Sequence, residues 1–250
     1  MHFEKPQPGN PNRITVRQHV FPTKSIERFA NDSGRVEIQF KDRNKTNKVR
    51  PTDAAFTAKR VWDQSSEAGY MKRIEDSFQA VSRYVLSGNE ILSTDQMKDV
   101  SRFHMLWRLR VDARSNRPPE LKLKGVLPGE RVLTEDQEEK LEVNGYSYFR
   151  GTTLPSRQWA GMRISFLLHR FCNLDQTWGV VRSNDIEFLV PDTFDDVGVV
   201  PVGPNCCFVA GTLGGNISGS NAIQINELAR SKSRDYCFAR SLARTVTNAA

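Results

Sequence analysis

Apolar residues along this chain follow two rhythms. Over residues 13 to 20, RITVRQHV alternates with Ile14, Val16 and Gln18 on one side. Over 35 to 42, RVEIQFKD alternates with Val36, Ile38 and Phe40 on one face. A period of two predicts strands. Pro22 cannot donate to a strand ladder and ends the first of them. KSIERFA then predicts a short helical turn, capped by Thr23 or Ser25 and stopped by NDSG.

Steps of three and four take over in the middle. Met71, Ile74, Phe78, Val81 and Val85 predict a helix over about 67–86, ended by Gly88-Asn89. Ser93 with Gln96 forms a capping box for a second helix, which carries Met97, Val100, His104, Trp107 and Val111 on one face. The Pro- and Lys-rich stretch 114–131 reads as a surface loop. Thr134 with Gln137 opens a short acidic helix, TEDQEEKLEV. A helix over about 156–172 is apolar nearly all round (Trp159, Met162, Ile164, Phe166, Leu167, Leu168, Phe171), the pattern of a buried helix.

The texture then becomes β-rich. WGVVRS, IEFLVP, VGVVPV and CCFVAG are short runs separated by Asn-Asp, Asp-Asp and Pro-Asn turns, which predicts an antiparallel meander. GTLGGNISGS reads as a flexible loop. A last helix over about 221–242 turns Ile225, Leu228, Ala229, Tyr236 and Ala239 inward. Strands at both ends, with a helical middle over 65–175, predict an α+β fold. The expectation is one domain over 13–245, whose N- and C-terminal strands share a mixed or antiparallel sheet, after a loose Pro-, Asn- and Gly-rich arm over 1–12.

Charge adds a partner class. The 250 residues carry a formal net charge of +7. That excess favours acidic partners, nucleic acid (RNA or DNA) first, over a merely solvated basic face. The basic stretches 41–60 and 114–131 are where phosphates would be held. No apolar run approaches the roughly 18 residues a membrane helix needs, and the first residues lack the apolar core of a signal peptide. Cys172, Cys206, Cys207 and Cys237 contain no C-x-x-C pair, which points to packing cysteines in a reduced, cytoplasmic chain. The sequence has no nucleotide-binding glycine loop, no G-x-S-x-G elbow and no H-E-x-x-H.

Several residues stand out as candidate chemistry. His19 lies at a strand end before Pro22, where a rigid element can aim an imidazole into a cleft or hydrogen-bond it to nearby backbone. Asp192 follows a buried-looking strand and Pro191, so it is either a turn-capping carboxylate or an active-site acid or metal ligand, with Asp195 and Asp196 close behind. His104 and Arg108 are four apart on a helix and can touch. Asn226, near the start of the last helix, is a capping leftover or an amide turned toward a site. His169, on the all-apolar helix, reads as a buried neutral histidine.

These pieces fall in an order that resembles the bacterial family of domains of unknown function numbered 4238. Its opening H-x-x-P-x-x-x-L-x-x-F segment is similar to His19, Pro22, Ile26 and Phe29. Its Arg-containing helix is similar to FHMLWRLR with Arg110, its tryptophan strand and F-x-x-S-D-x-P motif to WGVVRSNDIEFLVPDTF, and its closing strand and Asn-bearing helix to VPVGPN and INELARSKSRDYCFA. Gln18 stands where the family often has a second histidine, and the proline of the third motif is displaced to Pro191.

The family's own function is open. The resemblance implies that His19, Arg110, Asp192 and Asn226 form one set. Such a set could hold a divalent cation, Mg²⁺ or Mn²⁺, on His19 and Asp192, with Asn226 beside it and Arg110 and Arg108 clamping a phosphate. Without metal, His19 would act as general base and Arg110 as the anion clamp. The expectation is a phosphodiester hydrolase, a nuclease of the toxin or phage-defence kind. The alternative is a non-catalytic module for nucleic acid, a protein partner or a second copy of the chain, in which the His–Asp–Asn set is a buried polar network fixing the fold.

Overall fold

A computed structural model describes residues 3–42, 45–128 and 132–246. Parts of the predicted arm (1–2) and of the two basic stretches (43–44 and 129–131) lie outside the described residues. The architecture is α+β with antiparallel sheets, as the two rhythms predict. Strand β1 (Arg17–His19) leads into helix α1 (Thr23–Glu27), then β2 (Val36–Phe40), β3 (Lys45–Val49) and β4 (Thr57–Lys59). Helix α2 (Gln64–Ser66) runs through a π-helical turn into α3 (Lys72–Leu86), and α4 (Thr94–Ser115) packs beside it. A small ribbon, β5 (Leu121–Lys122) with β6 (Thr153–Leu154), brackets α5 (Glu135–Val143), and α6 (Ser156–Phe171) follows. The remainder is β7 (Trp178–Arg182), β8 (Val190–Pro191), β9 (Val199–Gly203), β10 (Cys206–Ala210), β11 (Gly215–Asn216), α7 (Gly219–Lys232) and β12 (Tyr236–Ala239).

The strands form two four-stranded sheets, in the orders β3-β2-β12-β8 and β11-β7-β10-β9. The first joins N-terminal to C-terminal strands and takes β8, from the IEFLVP run expected in the meander, as its edge; the second keeps only β7, β9 and β10 of that expected meander, with β11 added in parallel to β7. Aromatic rings weld the sheets through the helices. Phe238 of β12 meets Phe21, Phe29 and Phe56, Phe21 meets Phe103 and Trp107 of α4, and Phe103 stacks at 3.7 Å on Phe78 of α3, which meets Phe208 of β10. Among the described residues no helix is long and apolar enough to cross a membrane.

Four local expectations are corrected. The basic, polar run KDRNKTNKVRP reads as a loop, yet its residues 45–49 pair with β2 although KTNKV has no apolar face. The last helix stops at Lys232, and Tyr236 and Ala239 belong to β12, because YCFA is taken up between β2 and β8. Helix α6 is not buried all round: Phe166 is 64% and Phe171 61% exposed, while its inward face is Arg157, Gln158, Ala160, Gly161 and Ile164. That face admits no side chain at 161, where a Cβ would lie 2.0 Å from Asp63 Oδ2. The arm is tied down rather than loose, since Gln7 and Asn12 both hydrogen-bond to Asp136 and Glu139 of α5.

Candidate functional site

The short β1–β4 ribbon positions His19. Between exposed Arg17 and half-buried His19, Gln18 is buried and bonds entirely to main chain: its amide donates to the Trp62 carbonyl at 2.8 Å, and its oxygen accepts from the Val61 amide at 2.7 Å. Gln18 is thus a brace between β1 and the chain after β4. His19 itself is half-buried. Burial lowers its pKa, opposed by the Pro51 carbonyl and the nearby Glu75. Its Nε2 is shielded and makes no hydrogen bond.

His19 and Arg110 are brought together around Glu75, whose charge acts on both. Arg110 is 1% exposed. It is bonded to Glu75, lies 3.6 Å from Glu67 and sits 5.4 Å from the Trp62 ring centroid. Burial works against its charge, but Glu75 and Glu67 outweigh burial and hold it charged. Glu67 in turn accepts from the Trp62 indole at 2.5 Å, and burial raises its pKa. Two carboxylates neutralise this guanidinium inside the core, although its Nε makes no hydrogen bond, so it does not fit the role of a phosphate clamp.

Arg108 lies about 200° round the helix from Arg110, on a different face. It lines a cavity of about 190 Å³ with Ser101, His104, Cys172, Trp178 and Asp196. His104 there is a satisfied core histidine, its Nε2 3.0 Å from the Val197 carbonyl and its pKa pushed down to about 4 by burial and by Arg108. His169 is exposed, not buried, at a cavity of about 470 Å³ shared with Asp63, Ser66 and Tyr70.

Asp192 and Asn226 are held by backbone. Asp192, 1% exposed, accepts from the amides of Arg234 at 2.8 Å and Asp235 at 2.9 Å. Burial raises its pKa against those two bonds, and the charges it faces are Asp235 and Arg114, not those around His19. Asn226, also 1% exposed, accepts from the Leu189 amide and donates to the carbonyls of Glu187 and Thr245, each at 2.8 Å. Its amide stitches α7 to the chain before β8 and to the stretch after β12. The donor set therefore does not fit Mg²⁺ or Mn²⁺, which need several convergent oxygens. Among the described residues no group of three or more His, Cys, Asp or Glu side chains is placed to hold a metal ion.

The densest ionisable cluster is one the sequence did not single out. Arg60, Arg157, Glu138, Glu139 and Glu142 are all at most 5% exposed. Tyr148 donates toward Glu138 at 2.9 Å and Glu142 at 3.1 Å, and Arg157 bonds to Glu142 and to the Tyr148 hydroxyl. Burial pushes the Glu142 carboxyl up to about 7, opposed by Arg60 and the Gln64 amide. The cluster floors a cleft of about 990 Å³ whose mouth carries Arg150. An inward acidic face on α5 was legible only as Glu138 and Glu142 one turn apart. Their cations come from residues 60 and 157, which no local pattern links to them.

No protein-family model matches the chain, and no curated protein or solved structure shows a significant match to it.

Proposed function

We propose that the chain is a non-catalytic nucleic-acid-binding module that grips the phosphate backbone. One observation carries the reading. Arg17 and Lys59 stand directly opposite each other across the β1–β4 ribbon, both exposed. Arg117 adds a third cation, its guanidinium donating to the Lys59 carbonyl at 2.6 Å. Among the described residues no carboxylate forms an ion pair with any of the three; Lys59 has only the Phe3 ring, 5.7 Å away. Like charges opposed on a ribbon cost a few tenths of a kcal/mol, and an anion in front of them removes that cost. A run of phosphates suits two exposed cations with half-buried Arg117 beside them, and the net charge of +7 draws the same class of partner. Asp192 and Asn226 support the non-catalytic half of the reading, because their polar atoms are spent on the main chain. A reducing, cytoplasmic setting goes with it, given four free thiols.

The test is fluorescence anisotropy with RNA and DNA oligonucleotides across a salt series. Lys59→Glu is expected to weaken binding to both and to flatten the slope of log K against log salt by about one to two. It also places a carboxylate opposite Arg17, which raises stability by about 0.5 kcal/mol. Unchanged affinity and slope in Lys59→Glu would remove the assignment.

A hydrolytic reading has one observation in its favour: a neutral His19 whose Nε2 is free beside Glu75. It requires cleavage of RNA or DNA, assayed with Mg²⁺, Mn²⁺ and chelator, that disappears in His19→Ala at unchanged thermal stability.

A further inference from the structure

We infer that the cleft between the N-terminal arm, α5 and the start of α6 is a groove for an extended peptide of a partner protein that carries one glutamate followed by prolines, and that the arm is its built-in competitor. The inference does not depend on the nucleic-acid reading, which concerns the β1–β4 ribbon.

The arm is held as peptide ligands are held, through main-chain groups and two side-chain anchors. The Glu4 carboxylate lies 2.5 Å from Arg150 Nη1 and is ion-paired with Arg157. The carbonyls of Glu4 and Lys5 face Arg60 Nη1 at 3.5 and 3.2 Å. The Gln7 amide donates to Glu139 at 2.9 Å, and its side chain donates to Glu139 and Asp136 at 3.1 and 3.3 Å. Pro6 and Pro8 line the cleft between these points. The groove therefore reads an acid, two carbonyls and a glutamine three residues on, with prolines keeping the segment extended.

The wall is built for this and the occupant is not. Arg60 is 3% exposed and adopts a left-handed φ of 42°, which a non-glycine residue holds only where the surroundings enforce it. Its Nε makes no hydrogen bond although the residue lines the cleft, while its Nη2 has only the Glu142 carboxylate, 3.5 Å away. Glu138 holds Arg150 at 2.6 and 2.7 Å, fixing that guanidinium at the mouth. No described arm residue before Ile14 is buried, so leaving the cleft takes no arm side chain out of the core. The cleft keeps about 990 Å³ with the arm in place, and Phe149 on its wall is still 44% exposed. A longer or more apolar segment than the arm would fill both.

The test uses the full chain and a fluorescent peptide, FEKPQPGNPN, copied from residues 3–12. A tethered arm competes at an effective concentration on the order of millimolar, so the peptide is titrated against the wild type and against Glu4→Gln, whose own arm is loosened. Expected is binding to Glu4→Gln about tenfold tighter than to the wild type, and about tenfold weaker binding when the peptide's own glutamate is replaced by glutamine, the loss of one charge-assisted contact. The second comparison alters only the ligand, so the protein's fold is constant in it. No peptide binding to Glu4→Gln, equal binding to the two proteins, or indifference to the peptide's glutamate would each overturn the inference.

Discussion

Asp192→Ala separates a structural carboxylate from a functional one. Both Asp192 oxygens accept main-chain amides, at 2.8 and 2.9 Å, just where the chain enters β12. Bonds to a charged acceptor contribute about 1.5–3 kcal/mol each. Two corrections reduce the pair. Burial already disfavours the ionised carboxyl, and Arg234 and Asp235 are exposed, so water can reach the amides left behind. The expected loss is about 2–3 kcal/mol in all, which for a chain of this length lowers Tm by about 5–10 °C. Asp192→Asn should recover little, because its NH₂ would face one of the two amides. The assay is urea unfolding, with the midpoint falling and the m value unchanged, beside nucleic-acid binding measured well below the transition. A stability loss under about 0.5 kcal/mol together with lost binding or cleavage would refute the reasoning and return Asp192 to the site.

Other measurements bear on the buried cluster and the α6 contact. The Glu142 carboxyl is raised from 4.5 to about 7, so between those values the folded chain binds a proton that the unfolded chain has released. Stability contributed by this group is fully present below about 4.5 and is lost as pH rises through 7, by roughly 3 kcal/mol. The difference in unfolding free energy between wild type and Glu142→Gln should therefore drift toward the variant across that window, and a flat difference would show the carboxyl unshifted. Gly161→Ala drives a methyl to within 2.0 Å of Asp63 Oδ2 and 2.3 Å of Ser66 Oγ. It should cost about 1–3 kcal/mol, read as a lower Tm, and an unchanged Tm would mean that α6 is free to slide.

What the sequence showed and what it hid divide along a physical line. Period-two runs gave β1 and β2, steps of three and four gave α3 and α4, and both capping boxes, at Ser93 and Thr134, are formed. Local bonding suffices for those. Strand β3 has no apolar face, so only its pairing with β2 defines it. The boundary between α7 and β12 is likewise set by neighbours, as Asp192 caps the amides at that point. At the site, His19 and Arg110 both feel the charge of Glu75, and the two glutamates that neutralise Arg110 were not legible, since residues 67, 75 and 110 share no spacing. Asp192 and Asn226 read as candidate chemistry in the sequence because their actual partners are amides and carbonyls, which every residue carries and no pattern marks.

The place of β12 has a consequence for how the chain is made. Its four residues, 236–239, lie between β2 and β8 in the sheet, so β2 waits for a partner nearly two hundred residues downstream. While the chain emerges from the ribosome, the apolar side of β2, with Val36 and Ile38, has only the polar hairpin mate β3 beside it. Pairings of such long sequence separation close late and leave nascent surface open to chaperones or to neighbouring chains.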